Sequence, residues 1–104
     1  RDILQTVDAI VFPGQSEPAT PFPADPTPTE LVRSASRYTN VWNLVGLPAC
    51  VVPSGFSADG LPVSIQIVGR PFDDGTVLRI ARAYERATPW HTRRPDPAGW
   101  TVPA

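Results

Sequence analysis

GLPACVVPSGFSADGLPVSIQIVG, residues 46–69, decides the fold. Two apolar runs face each other across a polar loop, and each opens on Gly-Leu-Pro (Gly46-Leu47-Pro48 and Gly60-Leu61-Pro62). Residues 49–52 read as a strand closed by Pro53, 54–60 as the turn, and 61–68 as the returning strand, ended by Gly69 and Pro71. In that second strand Leu61, Val63, Ile65 and Ile67 alternate onto one face, and Ser64 and Gln66 onto the other. Gln66 is expected to face solvent from a half-exposed sheet; the alternative is a buried amide that supports an active-site loop and so needs partners.

Outward from this unit, the elements alternate in type. Residues 7–12, VDAIVF, read as a buried strand stopped by Pro13-Gly14, so residues 1–13 form the strand segment. Residues 14–29 are loop, because six prolines between Pro13 and Pro28 remove donors and push their neighbours out of helix. Thr29 is placed to cap a helix over residues 30–45, with Glu30 in its first turn and an apolar stripe of Leu31, Ala35, Tyr38, Val41 and Trp42. Gly46 stops that helix. A last helix over 73–88, capped by Asp73 or Asp74, carries Val77, Leu78, Ala81, Tyr84 and Thr88 on one side and Arg79, Arg82 and Arg86 largely on the other. Residues 89–104 are a proline-rich tail. Strand, helix, strand, strand, helix gives an α/β class with helices packed on a sheet.

Bulk composition narrows the chemistry. The chain has 104 residues and a net charge of −1, which gives no electrostatic case for nucleic acid or an anionic membrane surface. All nine basic residues are Arg, and Met is absent. A chain of this kind is expected to be a piece of a longer polypeptide, whether a processed product, a fragment or a separate subunit. One cysteine excludes an internal disulfide, and no apolar run is long enough to span a bilayer. A soluble, cytoplasmic protein is expected.

Candidate reactive groups are few. His91 lies between Trp90 and Thr92 in the tail and reads as a surface residue rather than a base. Cys50 reads as an inert thiol within a strand. Asp73-Asp74 reads as a cap rather than a metal site, and one His with one Cys does not make a zinc shell. No glycine-rich phosphate loop precedes a helix, so no cofactor and no metal are expected. Asn43, beside Trp42 at a helix end, either satisfies terminal carbonyls or lines a pocket.

Residues 38–85 resemble the C-terminal segment of the amidase-signature hydrolases. The resemblance rests on Asn43-Leu44-Val45-Gly46-Leu47-Pro48-Ala49, Pro53-Ser54-Gly55, and Asp59-Gly60-Leu61-Pro62 through Gln66 to Gly69, followed by Asp73-Asp74. Residues 7–13 look like the family's Asp-containing strand, and Trp90-His91 with Pro95 like its tail. Ser64 stands where that family usually has Gly. The resemblance implies a mixed-sheet segment with flanking helices, one C-terminal part of a single domain. It also implies amide hydrolysis to an acid and ammonia or amine through a Ser-Ser-Lys triad. No Lys and no Gly-Gly-Ser-Ser run occur, so the triad is expected outside this chain, which is expected to be inactive alone. The implied partners are the missing N-terminal catalytic portion and a small-molecule amide, with no nucleic acid, no membrane and a homo-oligomer open. The loop from Gly14 to Phe22 and the helix end around Trp42-Asn43 are the candidate pocket lining, being turn-rich element ends. With the polar strand face they give Gln15, Trp42, Asn43, Ser64 and Gln66 as the candidate pocket or support residues. Two alternatives stand beside this reading. One is the amidase-type subunit of a tRNA-dependent amidotransferase; the other is a non-catalytic α/β binding or assembly module.

Overall fold

The computed structural model describes residues 2–21, 29 and 36–99. Three strands, β1 (Ala9–Pro13), β2 (Ala49–Phe56) and β3 (Pro62–Gly69), form an antiparallel sheet in the order β1-β3-β2. A short helix, α1 (Asn40–Val45), precedes β2, and a longer one, α2 (Asp74–Ala87), follows β3. The α/β class read from the sequence is the class observed.

β3 is central, paired with β1 on one side and β2 on the other. Ile67 pairs with Val11 on one side and Cys50 on the other. Beneath it, Val52, Ile67, Val77 and Ala81 form the buried cluster, with Ala9, Cys50, Ile65, Ile80 and Tyr84 packed at its margin. α2 lies on this face. Val77 and Ala81 are four residues apart and so share a stripe, whereas Leu78 sits about 100° further round the helix and is exposed. The expectation that Leu78 shares the side of Val77 and Ala81 is therefore corrected, and Ile80 takes the flank instead. Asp73 holds the N-cap position of α2 without a side-chain capping bond, and Asp74 lies in the first turn.

Three other boundaries differ from the sequence reading. β2 runs through Pro53 to Phe56, with a register shift between Pro53 and Gly55. Proline is tolerated there because β2 is an edge strand whose outer donors face no partner. The first strand is shorter than expected, because residues 2–5 wind into a 3-10 turn. Arg70 holds that turn: Nε donates to the Leu4 carbonyl at 2.7 Å and Nη2 to the Val7 carbonyl at 3.0 Å. The α-helix expected over 30–45 is seen over Asn40–Val45, preceded by a turn at 36–39. Thr29 is exposed with helical backbone, while Glu30, Leu31 and Ala35 lie outside the described residues.

Gly46 ends α1 as read. Its φ of 68° is the left-handed conformation that glycine adopts freely, and the Leu47 N–H donates to the Trp42 carbonyl at 3.1 Å.

Among the described residues six apolar side chains are buried, while eleven large ones are exposed, including Leu44, Val51 and Val41. No helix among the described residues is long and apolar enough to cross a membrane.

Candidate functional site

The face of the sheet opposite α2 carries the polar strand residues. Here Phe12, Gln66 and Val51 stand in one row across β1, β3 and β2. Gln66 is 1% exposed, which corrects the expectation that it faces solvent. Its burial follows from the chain segments laid over it. Nε2 donates to the Tyr38 carbonyl at 2.6 Å and to the Pro13 carbonyl at 3.2 Å, tying the turn before α1 to the end of β1. Both amide hydrogens are thus used, as burial of a carboxamide requires.

Trp42 closes over the same row. Its ring lies 4.9 Å from that of Phe12, tilted by 45°, within the distance at which aromatic pairs attract. The indole Nε1 is enclosed and has no hydrogen-bond partner among the described residues. Two positions from Gln66 on the same face, Ser64 meets Gly14. The Gly14 N–H donates to the Ser64 carbonyl at 2.9 Å, and a Cβ at Gly14 would collide with Ser64 Oγ. The hydroxyl at position 64 therefore fills the hollow left by a buried glycine.

The structure gathers Trp42, Ser64 and Gln66 on one face. It leaves Gln15 and Asn43 exposed, and neither makes a side-chain hydrogen bond among the described residues. Asn43 does not serve the helix end, since the Trp42 carbonyl receives a backbone donor from Leu47. Of the loop over residues 14–22, Phe22 lies outside the described residues. Gly14, from the candidate loop, joins the face through Ser64, and Phe12 and Tyr38 join it without having been singled out for it. Phe12 had a signal, since it precedes Gly14 by two residues and so shares its strand parity.

This face supplies shape and fixed backbone, and no reacting pair. Cys50 and Ser64 have neither His91 nor a carboxylate as hydrogen-bond partner, and no group of three or more His, Cys, Asp or Glu side chains is placed to hold a metal, among the described residues. His91 is half-buried, in the 3-10 turn Trp90–Thr92, away from the Gln66 row in sequence and element.

Residues 1–78 match the family described as Amidase. The chain belongs to the amidase family. It is 42% identical over 101 residues to the Mycobacterium bovis protein named "Putative amidase AmiB2", covering 92% of this chain and 22% of that one. It is 45% identical over 96 residues to a glutamyl-tRNA(Gln) amidotransferase subunit of Roseiflexus sp. (strain RS-1), covering 92% and 20%. The crystal structure of the corresponding glutamyl-tRNA(Gln) amidotransferase subunit from Thermotoga maritima superposes with a TM-score of 0.74 at 41% identity, over 85% of this chain and 19% of that one. The chain thus spans about a fifth of the length of these amidase-family relatives.

Proposed function

We propose that this chain is the C-terminal part of an amidase that hydrolyses a carboxylic amide to an acid and ammonia or amine. Its role is to form one wall of the enzyme while a separate portion, on the same or another chain, supplies the chemistry. Amide hydrolysis by an acyl-enzyme route needs an activated nucleophile with a base in reach. In the family resemblance that is a serine relayed through a second serine to a lysine, and this chain has no lysine. The carrying observation is the Gln66 face. A buried amide there fixes two main-chain segments, Trp42 presents an enclosed indole N–H without a partner among the described residues, and Leu44, Val51 and Val41 expose apolar surface. Such a face is suited to packing against a further layer of protein.

The test compares the 104-residue chain alone with the protein carrying it at full length, on a series of aliphatic and aromatic amides. Turnover by the longer protein only is expected. Turnover by the isolated, rigorously purified chain would overturn the reading, since the catalytic groups would then lie within it.

A second reading is supported by the names of the Roseiflexus and Thermotoga relatives: the chain would belong to the amidase-type subunit of a tRNA-dependent amidotransferase. Glutamine hydrolysis that rises when partner subunits and aminoacylated tRNA are added would favour it. Turnover of simple amides without any partner favours the first reading. A cytoplasmic setting accompanies either one.

A further inference from the structure

A concave surface lies at the other end of the hairpin from the Gln66 row. The cleft encloses about 680 Å³, between the tip of β2–β3 and the segment after α2. That size falls within the range of small-ligand pockets. Phe56 and Trp90 form its aromatic wall, with ring centroids 6.2 Å apart at 67°. Arg93 stands over Phe56 with its guanidinium carbon 5.0 Å from the ring centre. Arg94 also lines the cleft and donates through Nη1 to the His91 carbonyl at 2.7 Å, which pins its side chain.

The charge on this surface is unbalanced. No Asp or Glu lines the cleft, and neither Arg93 nor Arg94 has an ion pair among the described residues. The Arg93 guanidinium makes no hydrogen bond there, so its five donors are uncommitted, and Arg94 retains donors beyond Nη1. A guanidinium offers a planar fork of donors that matches a carboxylate or phosphate, and the neighbouring rings offer a stacking surface.

We propose that this cleft binds a small anion that carries both an aromatic ring and a carboxylate or phosphate. The ring lies along Phe56 and Trp90, and the anionic group takes the free donors of Arg93 and Arg94.

Isothermal titration calorimetry on the full-length protein tests it with four probes: adenosine 5′-monophosphate, benzoate, adenosine and inorganic phosphate. The two ring anions should bind at least about ten-fold more tightly than adenosine or phosphate, with affinity falling as salt is raised. Arg93→Gln and Arg94→Gln should each weaken the ring anions by roughly ten-fold, the equivalent of one strong charge-assisted contact. Both side chains are exposed, so these variants should fold, as circular dichroism would confirm. The wild-type probe series stands by itself if one does not. No binding of either ring anion at millimolar concentration overturns the proposal. So does equal affinity for adenosine and its monophosphate, or benzoate binding that ignores both arginine substitutions, which would place that ligand elsewhere on the protein.

Discussion

Replacing Gln66 separates a structural clamp from an ordinary strand residue. In Gln66→Leu the volume is nearly kept, but the Tyr38 and Pro13 carbonyls lose donors at 2.6 and 3.2 Å. Each lost bond to a carbonyl left without a partner costs about 1–3 kcal/mol. The lower end applies, because Pro13 is exposed and Tyr38 half-buried, so water reaches part of the gap. The loss is then about 2 kcal/mol, read as a lower urea midpoint at unchanged slope in the full-length protein. Gln66→Glu is the sharper variant. It presents acceptors where the native amide presents donors, in a site 1% exposed, and an unpaired buried carboxylate costs several kcal/mol. Burial and facing carbonyls raise the folded pKa of that carboxyl above its unfolded value, so the folded state binds more protons. Stability is then retained below the unfolded pKa and lost as pH rises through the folded one. Urea titrations at pH 5 and pH 8 should show Gln66→Glu less stable than Gln66→Leu at pH 8 and recovering at pH 5. Wild-type stability of Gln66→Glu at pH 8 would refute the clamp.

Two glycines give steric predictions of a different origin. Gly14→Ala drives its Cβ into Ser64 Oγ, with Ser64 Cβ at 3.1 Å and the Ser64 carbonyl at 3.3 Å; overpacking of this kind costs about 1–3 kcal/mol. Adding Ser64→Gly should return part of that, a coupling of about 1 kcal/mol in a double-mutant cycle of unfolding free energies, and simple additivity would sink the contact. Gly69→Ala meets Val77 Cγ2 within the core and should lower the thermal midpoint more than Gly46→Ala. The latter has open space around its Cβ and costs only the left-handed backbone, about 1 kcal/mol. Equal midpoints for the two would refute the close approach of β3 and α2.

What the sequence made legible was local. The Gly46 stop, the return of the chain between the two Gly-Leu-Pro triplets and the existence of the last helix each follow from residues within one turn of the feature. What it hid was settled by distant partners. Gln66 is buried by carbonyls 28 and 53 residues away, and period-two alternation carries no information about either. The turn at residues 2–5 is held by an arginine 66 residues from Leu4, so a run that looks strand-like from residue 7 has no visible reason to begin late. β2 passes Pro53 only because it lies at a sheet edge, a fact of topology rather than of composition. Leu78 was misplaced for a simpler reason: its position 100° from Val77 was readable, and Ile80 was the better fit to the stripe.

The burial pattern along β3 connects these points to function. From Gln66 to Gly69 every residue is buried, whichever face it occupies, whereas residues 63–65 are only half-covered. One end of the central strand therefore has material on both sides: α2 beneath, and the Tyr38 turn above. That upper face, beyond Trp42, retains an enclosed indole donor without a partner among the described residues and exposed Val51 at the edge. An enclosed N–H is rarely left unmatched in a finished protein. Its natural complement is a carbonyl from a segment laid over Trp42, continuing the layer that the Tyr38 turn begins. A chain spanning a fifth of its relatives' length leaves room for such a segment. If the full-length protein supplies it, Trp42→Phe should destabilise that protein by about 1–3 kcal/mol, the cost of stranding the acceptor. The same substitution in the isolated 104-residue chain removes no bond and should leave its stability unchanged or slightly raised. Equal effects in both would mean that no acceptor covers the indole.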